Sequence, residues 1–420
     1  MSRGIGFLSG CGNDRCMRIL IVTAGSRGDV APFTGLGRRL RDAGHEVAVA
    51  AHPALAGLVE GCGLECRPVP GDPEGLMRGW SQAASREEAR ALTRAYAEGL
   101  ADGVAEAAEG GTDLLLTAFG PAPLSLAAGE ALRVPVIGTY LTPSFATRRF
   151  PLPPAAPGAG LGPEGNLAAG RDVVARAAGV FAGSAARLRG RLGLPAAPPA
   201  RPDGLRPVFH GFSPLVVPRP GDWPSGVGVS GYWWPARPDG WRPPADLDGF
   251  LRAGPPPVFI GFGSMAAGEG ERLGALVAAA VRRAGVRAVV QAGWAGLDAC
   301  GDGILAVGDV PHDWLFPRTA AVVRHAGAGT TGAGLRAGVP AVPVPVMADQ
   351  PFWAARLHRL GVATRPLPFR DLTADALGAA IGACLSEPAH RRRAAALARR
   401  MAAEDGAGAV LAHIGSRYAG

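Results

Sequence analysis

The chain has 420 residues, of which 48% are hydrophobic and only 19% charged, a balance that excludes disordered and collagen-like classes and calls for two domains of about 200 residues each. The formal charge of +8 would ordinarily raise nucleic acid as a partner, but the chain holds no lysine, and its 43 basic residues are all arginines, scattered singly or in pairs apart from Arg391 to Arg393. With 63 Gly and 39 Pro this pattern reads as compositional bias, and no nucleic-acid partner is expected.

The cysteines at 11, 16, 62, 66, 300 and 384 form no C-x-x-C pair and have no histidine cluster beside them, so reduced thiols in a cytoplasmic protein are expected, and no zinc site. No apolar run approaches the ~20 residues of a membrane span, which leaves only transient membrane contact open. Residues 1–16 read as a disordered extension and a poor signal peptide, with Met17 a candidate start.

Met17 to Ala24 is a buried-strand run, followed by a glycine-rich turn and an apolar-periodic stretch from Val30 to Ala43. Further strands are expected at Glu46 to Ala51, Leu64 to Pro68, Asp113 to Thr117 and Val134 to Gly138, separated by helices such as Arg86 to Ala107. Alternation of this kind predicts a parallel sheet covered on both faces. Between Pro151 and Pro202 one helix, Arg171 to Leu192, is expected and no sheet. Trp233 to Pro257 contains seven prolines and reads as a linker. The pattern then restarts with strands at Val258 to Gly263, Val286 to Gln291, Ile304 to Val307, Ala320 to Arg324 and Ala341 to Val346, and with helices at Glu271 to Ala284 and from Gly329. Thr373 to Tyr418 reads as several helices able to pack back across a cleft. The expected organisation is α/β: an N-terminal domain over 17–232, a linker over 233–257 and a second doubly wound domain over 258–420.

Arg324-His325-Ala326-Gly327-Ala328-Gly329-Thr330-Thr331-Gly332 runs from a strand through a glycine turn into a helix start. Such a turn aims bare backbone N–H groups and the positive end of the helix at an anion, and suits a diphosphate. Gly327, Gly329 and Gly332, with Asp349 further on, also satisfy the dinucleotide fingerprint G-x-G-x-x-G, which keeps an NAD(P)-dependent oxidoreductase as a rival. The late position of the motif and the histidine before it speak against a nicotinamide.

The 29 residues from His325 to Trp353 closely resemble the donor-site signature of family 1 glycosyltransferases, notably bacterial glycopeptide-antibiotic and sterol glucosyltransferases. That family shows two histidines in tandem, whereas here Arg324 holds the first place. Gly25-Ser26-Arg27-Gly28-Asp29-Val30-Ala31-Pro32 is similar to the family's acceptor-side loop, so the resemblance spans nearly the whole chain after Met17. It implies the GT-B fold: two Rossmann-like domains facing a cleft, with C-terminal helices. It also implies that Asp29 is the general base, that His325 and Ser264 contact the diphosphate, that Asp349 and Gln350 read the sugar, and that Val310 receives the nucleobase, with Trp294 beside it.

From residue type alone Asp29 equally suits a helix N-cap, Ser264 an ST-turn, and Asp349 a helix cap. Trp80, Phe145, Trp233 and Trp234 are aromatic candidates for an apolar acceptor wall, Phe145 foremost. The resulting expectation is inverting, metal-independent transfer of a hexose, glucose first, from a UDP- or dTDP-sugar to a hydroxyl of a small lipophilic acceptor. Asp29 removes the proton, while His325, Gly327, Gly329 and Thr330 hold the leaving diphosphate, and the nucleotide sugar is a co-substrate with no bound cofactor. A catalytically silent glycosyltransferase-like partner protein is the other rival.

Overall fold

The computed structural model describes residues 16–154, 160–197, 206–263, 269–293, 296–297 and 299–418; Ser264 and Trp294 lie outside the described residues. In the N-terminal half, β1 (Arg18–Val22), α1 (Arg27–Asp42), β2 (Glu46–Ala51), α2 (Ala56–Glu60) and β3 (Glu65–Pro68) step outward across one sheet. The chain returns through α3 (Pro73–Gln82) and α4 (Arg86–Glu109) to β4 (Leu114–Thr117) on the other side of β1, then continues outward by α5 (Ala122–Leu132) and β5 (Val136–Tyr140). After α6 (Gly162–Arg191) come β6 (Val208–His210) and β7 (Val227–Val229).

All pairings are parallel, in the order β3-β2-β1-β4-β5-β6-β7. Leu114 to Thr117 are buried throughout, as strands covered on both faces must be. β5 starts two residues later than expected because Pro135 has no N–H to give. Its carbonyl still accepts from Leu115 N at 3.0 Å. α6 begins nine residues before the predicted Arg171.

The stretch expected to be a linker contains α7 (Ala245–Arg252), a proline-free run with Pro244 at its N-cap. The second half then runs β8 (Val258–Gly261), α8 (Gly270–Ala284), β9 (Ala288–Gln291), β10 (Ile304–Val307), α9 (His312–Leu315), β11 (Ala321–Arg324), α10 (Ala328–Ala337), β12 (Ala341–Pro343) and α11 (Gln350–Arg359). Its five strands, again all parallel, lie in the order β10-β9-β8-β11-β12. Each sheet therefore reverses direction once, between β1 and β4 and between β8 and β11, and ligands of open parallel sheets bind beyond the strand C-termini at such reversals.

α12 (Ala374–Ser386), α13 (Pro388–Met401) and α14 (Gly406–Tyr418) end the described chain. α12 packs on the second sheet, whereas α14 crosses to the first: Val410 and Ile414 join Phe33, Leu36 and Leu40 of α1 in one buried cluster. A further core joins the two halves, with Phe150 against Phe352 and Phe212 against Trp353, each pair with ring centroids 5.6 Å apart. No helix among the described residues is long and apolar enough to cross a membrane.

Candidate active site

Ser26 is the N-cap of α1 and Asp29 its N3 residue. Ser26 N and Ser26 Oγ both donate to Asp29 Oδ2, at 2.8 and 3.0 Å. The sequence reading of Asp29 as a possible N-cap is thus corrected: it closes the capping box from the third position, leaving Oδ1 free. Gly25 has φ +119°, and a Cβ there would stand 2.4 Å from Asp29 Oδ2, so only glycine leaves room for the carboxylate. Asp29 is open to cleft water but ringed by protein, and desolvation raises its pKa against the two Ser26 hydrogen bonds.

Pro32 lies inside α1 and cannot donate to the Gly28 carbonyl four residues back. That carbonyl faces the other half of the molecule, 3.7 Å from where a Cβ on Gly329 would stand. The start of α1 and the start of α10 therefore meet across the cleft, and Arg27 spans it to Asp309 at 3.1 Å.

Gly327 is the N-cap of α10 and carries no capping side chain, so the first backbone N–H groups of the helix have no intrahelical partner. Ala326 before it is held at φ +62°, a strained conformation for a residue with a Cβ and one that concentrates at functional sites. The His325 ring sits between two glycines: a Cβ on Gly327 would approach Nε2 to 2.7 Å, and one on Gly263 would approach Cε1 to 2.8 Å. Burial, then the Arg324 charge, push the His325 imidazole down to about 4, so it is neutral at pH 7. Thr330 Oγ donates to Gly327 O at 3.1 Å.

The three glycines of the dinucleotide-like pattern do separate jobs. Gly327 clears His325, a Cβ on Gly329 would come only into ordinary contact with Gly28 O at 3.7 Å, and Gly332 clears Tyr232, whose Cε1 would lie 2.7 Å from a Cβ. The last of these is helix-to-chain packing and not a nucleotide contact.

Asp349 follows Ala348, which also has a positive φ of 55°, and one of its oxygens accepts from Trp353 Nε1 at 2.7 Å. Burial, and after the Trp353 bond the Asp29 charge, act on this carboxyl, and its pKa rises to about 6. Gln350 is buried, and its Oε1 accepts from Val346 N and Met347 N at 2.8 and 3.1 Å. Only its amide NH2 remains to meet a ligand. Val310 is a core residue at 4% exposure, in the loop after β10 whose Asp309 also takes Gln291 Nε2 at 3.4 Å.

Aromatic residues gather beyond the C-terminal ends of β4, β5 and β6. Phe119 stacks edge-on against Tyr140 at 5.3 Å, and Phe145 packs at 6.0 Å against both His210 and Trp223. Trp233 is not part of this wall: it is 1% exposed, rests on Phe33 at 5.7 Å and donates to Gly406 O at 3.2 Å. Trp234 stacks on Tyr232, with the Arg336 guanidinium 4.8 Å from the centre of its ring.

Sequence reasoning missed several site residues. Tyr96 on α4 is one, its phenol pushed up to about 12 by burial and next by the Asp29 and Asp72 charges. His210 is another, fully buried and held near 4 by desolvation, with Nδ1 3.0 Å from Gly228 O. Neither stands in a recognisable motif. Arg27 and Asp309 could have been found, since each lies in a stretch already singled out.

Residues 19–151 match the model of the glycosyltransferase family 28 N-terminal domain, and residues 283–414 match that of the erythromycin biosynthesis protein CIII-like C-terminal domain. The chain is 40% identical over 416 residues to O-mycaminosyltylonolide 6-deoxyallosyltransferase of Streptomyces fradiae, covering 93% of this chain and 95% of that one. It is 31% identical over 414 residues to a sterol 3-beta-glucosyltransferase of Arabidopsis thaliana, covering 94% of this chain and 65% of the relative's length. The solved structure of glycosyltransferase VinC in complex with DTDP superposes with a TM-score of 0.66 over 96% of this chain and all (100%) of that one, at 22% identity. The chain belongs to the family 1 glycosyltransferases of GT-B fold, and the enzyme is a glycosyltransferase.

Proposed function

We propose that the protein transfers a hexosyl group, with inversion, from a UDP- or dTDP-sugar to a hydroxyl of a small lipophilic acceptor. The observation that carries this reading is the meeting across one cleft of a helix N-terminus whose N-cap is a glycine, beside a neutral His325, and a carboxylate, Asp29, with one free oxygen. In the reaction the acceptor oxygen attacks the anomeric carbon and loses its proton to Asp29 Oδ1. The bond from that carbon to the diphosphate oxygen breaks, and the departing charge falls on the α10 N–H groups, Thr330 and His325. Ser264 is assigned to the same diphosphate, Val310 and Trp294 to the base, and Phe145 to the acceptor.

No divalent metal is assigned a role, since the helix terminus supplies the positive potential; among the described residues no cluster of three or more His, Cys, Asp or Glu side chains is placed to hold one. Turnover unchanged by a chelator is the expected result. A cytoplasmic site of action is part of the proposal, in keeping with free thiols at Cys62, Cys66 and Cys384.

Two donors compete. Asp349 and Gln350 suit the hydroxyls of glucose, but Asp349 gives one oxygen to Trp353 and Gln350 gives its oxygen to backbone. That leaves few groups to read a fully hydroxylated sugar and favours a dTDP-6-deoxyhexose as the second reading. The relative from Streptomyces fradiae carries a 6-deoxyallosyl group in its name.

Calorimetric titration of UDP-glucose, dTDP-glucose and NADH decides among these readings. Binding of one sugar nucleotide that is lost in His325→Ala supports the donor site. Binding of NADH alone would return the glycine turn to a redox cofactor. Asp29→Ala is expected to abolish transfer while leaving nucleotide affinity within about twofold, since a placed base contributes about 10²- to 10⁴-fold.

A further inference from the structure

We propose that Arg324 is a fixed counter-charge for the donor diphosphate, held inside the second half under α10 and acting through space without touching the ligand. The inference rests on the reading of that turn as the diphosphate site. Arg324 ends β11 immediately before His325, is 1% exposed, and is one of the largest fully buried side chains in the molecule. Its side chain runs under α10: a Cβ on Gly334 would stand 3.1 Å from Cζ, Nη1 and Nη2, so the glycine of the helix is what makes room for the guanidinium.

This cation is uncompensated. Nε and Nη1 have no hydrogen-bond partner, and the neighbouring Tyr232 hydroxyl is equally orphaned. Among the described residues no carboxylate pairs with it; the group acting to hold its proton is Tyr232. An unpaired buried charge is costly to fold around. The anion site nearest in the chain begins one residue later, at His325, and a diphosphate bound there would offset part of that cost through space.

The residue type matters. His325 and His312, both within reach of the Arg324 charge, are neutral at pH 7, pushed by burial down to about 4 and about 3. A histidine in place of Arg324 would meet the same desolvation and lose its charge. The guanidinium, lowered by burial to about 9, stays protonated at neutral pH. Enclosed by protein, its field is screened less than that of a surface charge and extends beyond contact, to His325 and His312.

The test uses the nucleoside, its monophosphate and its diphosphate, with uracil or thymine as the wild type prefers, titrated calorimetrically into the full chain and into Arg324→Gln and Arg324→Lys. The expected result is a ladder. Arg324→Gln loses about tenfold or more in diphosphate affinity, less for the monophosphate and nothing for the nucleoside, and Arg324→Lys restores most of the loss.

An equal loss for all three ligands would mean a structural role and overturn the inference, as would an unchanged diphosphate-to-nucleoside ratio in Arg324→Gln. Should the wild type itself bind no nucleoside diphosphate, the donor-site reading fails first, and the two failures are told apart. Thermal melting gives a second readout. Arg324→Met without ligand is expected to melt at or above the wild-type temperature, because an unpaired charge has been removed, and to show a smaller rise on adding the diphosphate. Neutral variants that fail to fold would show that the charge serves folding, and the proposal would fall.

Discussion

Asp29 does two things with one carboxylate. Oδ2 is tied into the capping box by Ser26, which fixes the side-chain rotamer, and Oδ1 is left to take a proton. A base so held needs no ordering when substrate arrives. The space for it exists only because residue 25 is glycine, so Gly25→Ala, with φ +119° and a 2.4 Å clash, is expected to lower kcat by at least tenfold while nucleotide binding in calorimetry is unchanged. Because desolvation raises the Asp29 pKa, the acid limb of kcat/KM against pH should lie above the ordinary carboxylate value near 3.9, and Asp29→Ala should remove what depends on it.

His325 gives a second test at this scale. Free, it is held near 4 by burial and by Arg324; a bound diphosphate favours imidazolium and raises that pKa. Between the free and bound values the complex holds more protons than the free protein. Donor binding at about pH 5.5 should therefore take up a fraction of a proton, seen as a heat that varies with buffer ionisation enthalpy and fades above neutral pH. Asp29 and His325 could be singled out in the sequence because each sits in a glycine-bearing loop next to a strand, in a stretch that resembles a motif of the family. Tyr96 and His210 were not, since only the packing of α4 on the first sheet, and the stacking of Trp223 on His210 at 4.8 Å, bring them to the site.

At the scale of elements, the donor turn is a strand, one strained residue and a helix whose N-cap is a glycine, and its glycines make the geometry possible. Gly327→Ala places a methyl 2.7 Å from His325 Nε2. Because Gly is clearly better than Ala as an N-cap, the replacement should cost roughly 1 kcal/mol of stability and lower melting modestly, while nucleotide affinity falls by about an order of magnitude; a stability loss of that size with intact affinity would refute this account of Gly327. Long periodic elements such as α4 and α8 could be read from the sequence because their apolar spacing repeats over several turns. β6 and β7, three residues each, show no period at all, and α7 was hidden by the prolines on both sides of it. Gly332 illustrates the converse: it completes a fingerprint in the sequence and serves only to seat Tyr232.

For the whole molecule, the two sheets are joined by chain that does not stay with its own half. α14 follows the helices of the second sheet yet lies on α1, with Val410 and Ile414 fully buried in the cluster of the first sheet and Arg39 of α1 paired with Asp405 at 3.1 Å. Glu404, just ahead of it, takes the Ser213 hydroxyl at 2.6 Å, and Gly406 takes Trp233. The apolar spacing of the tail announced helices able to pack back across a cleft, but not which of them would do so or that α1 would receive it, because an amphipathic face records burial and not the identity of what buries it. Since the cleft lies between the two sheets, α14 sets how far they can part, and cleft opening must strain or slide this contact. Ile414→Ala removes a fully buried side chain and is expected to cost about 2–5 kcal/mol. The loss should appear where the helix is docked and not where it is connected: amide exchange should quicken in α1, β1 and β2 while β8, β11 and α12 keep their protection. Nucleotide affinity, built on the second sheet, should stay within about twofold, and turnover, which needs Asp29 and the donor turn held at one spacing, should fall by more. Faster exchange confined to α12 and α13 would show instead that α14 belongs energetically to the half that precedes it, and the spacing of the cleft would then have to be set by the Phe150–Phe352 and Phe212–Trp353 contacts alone.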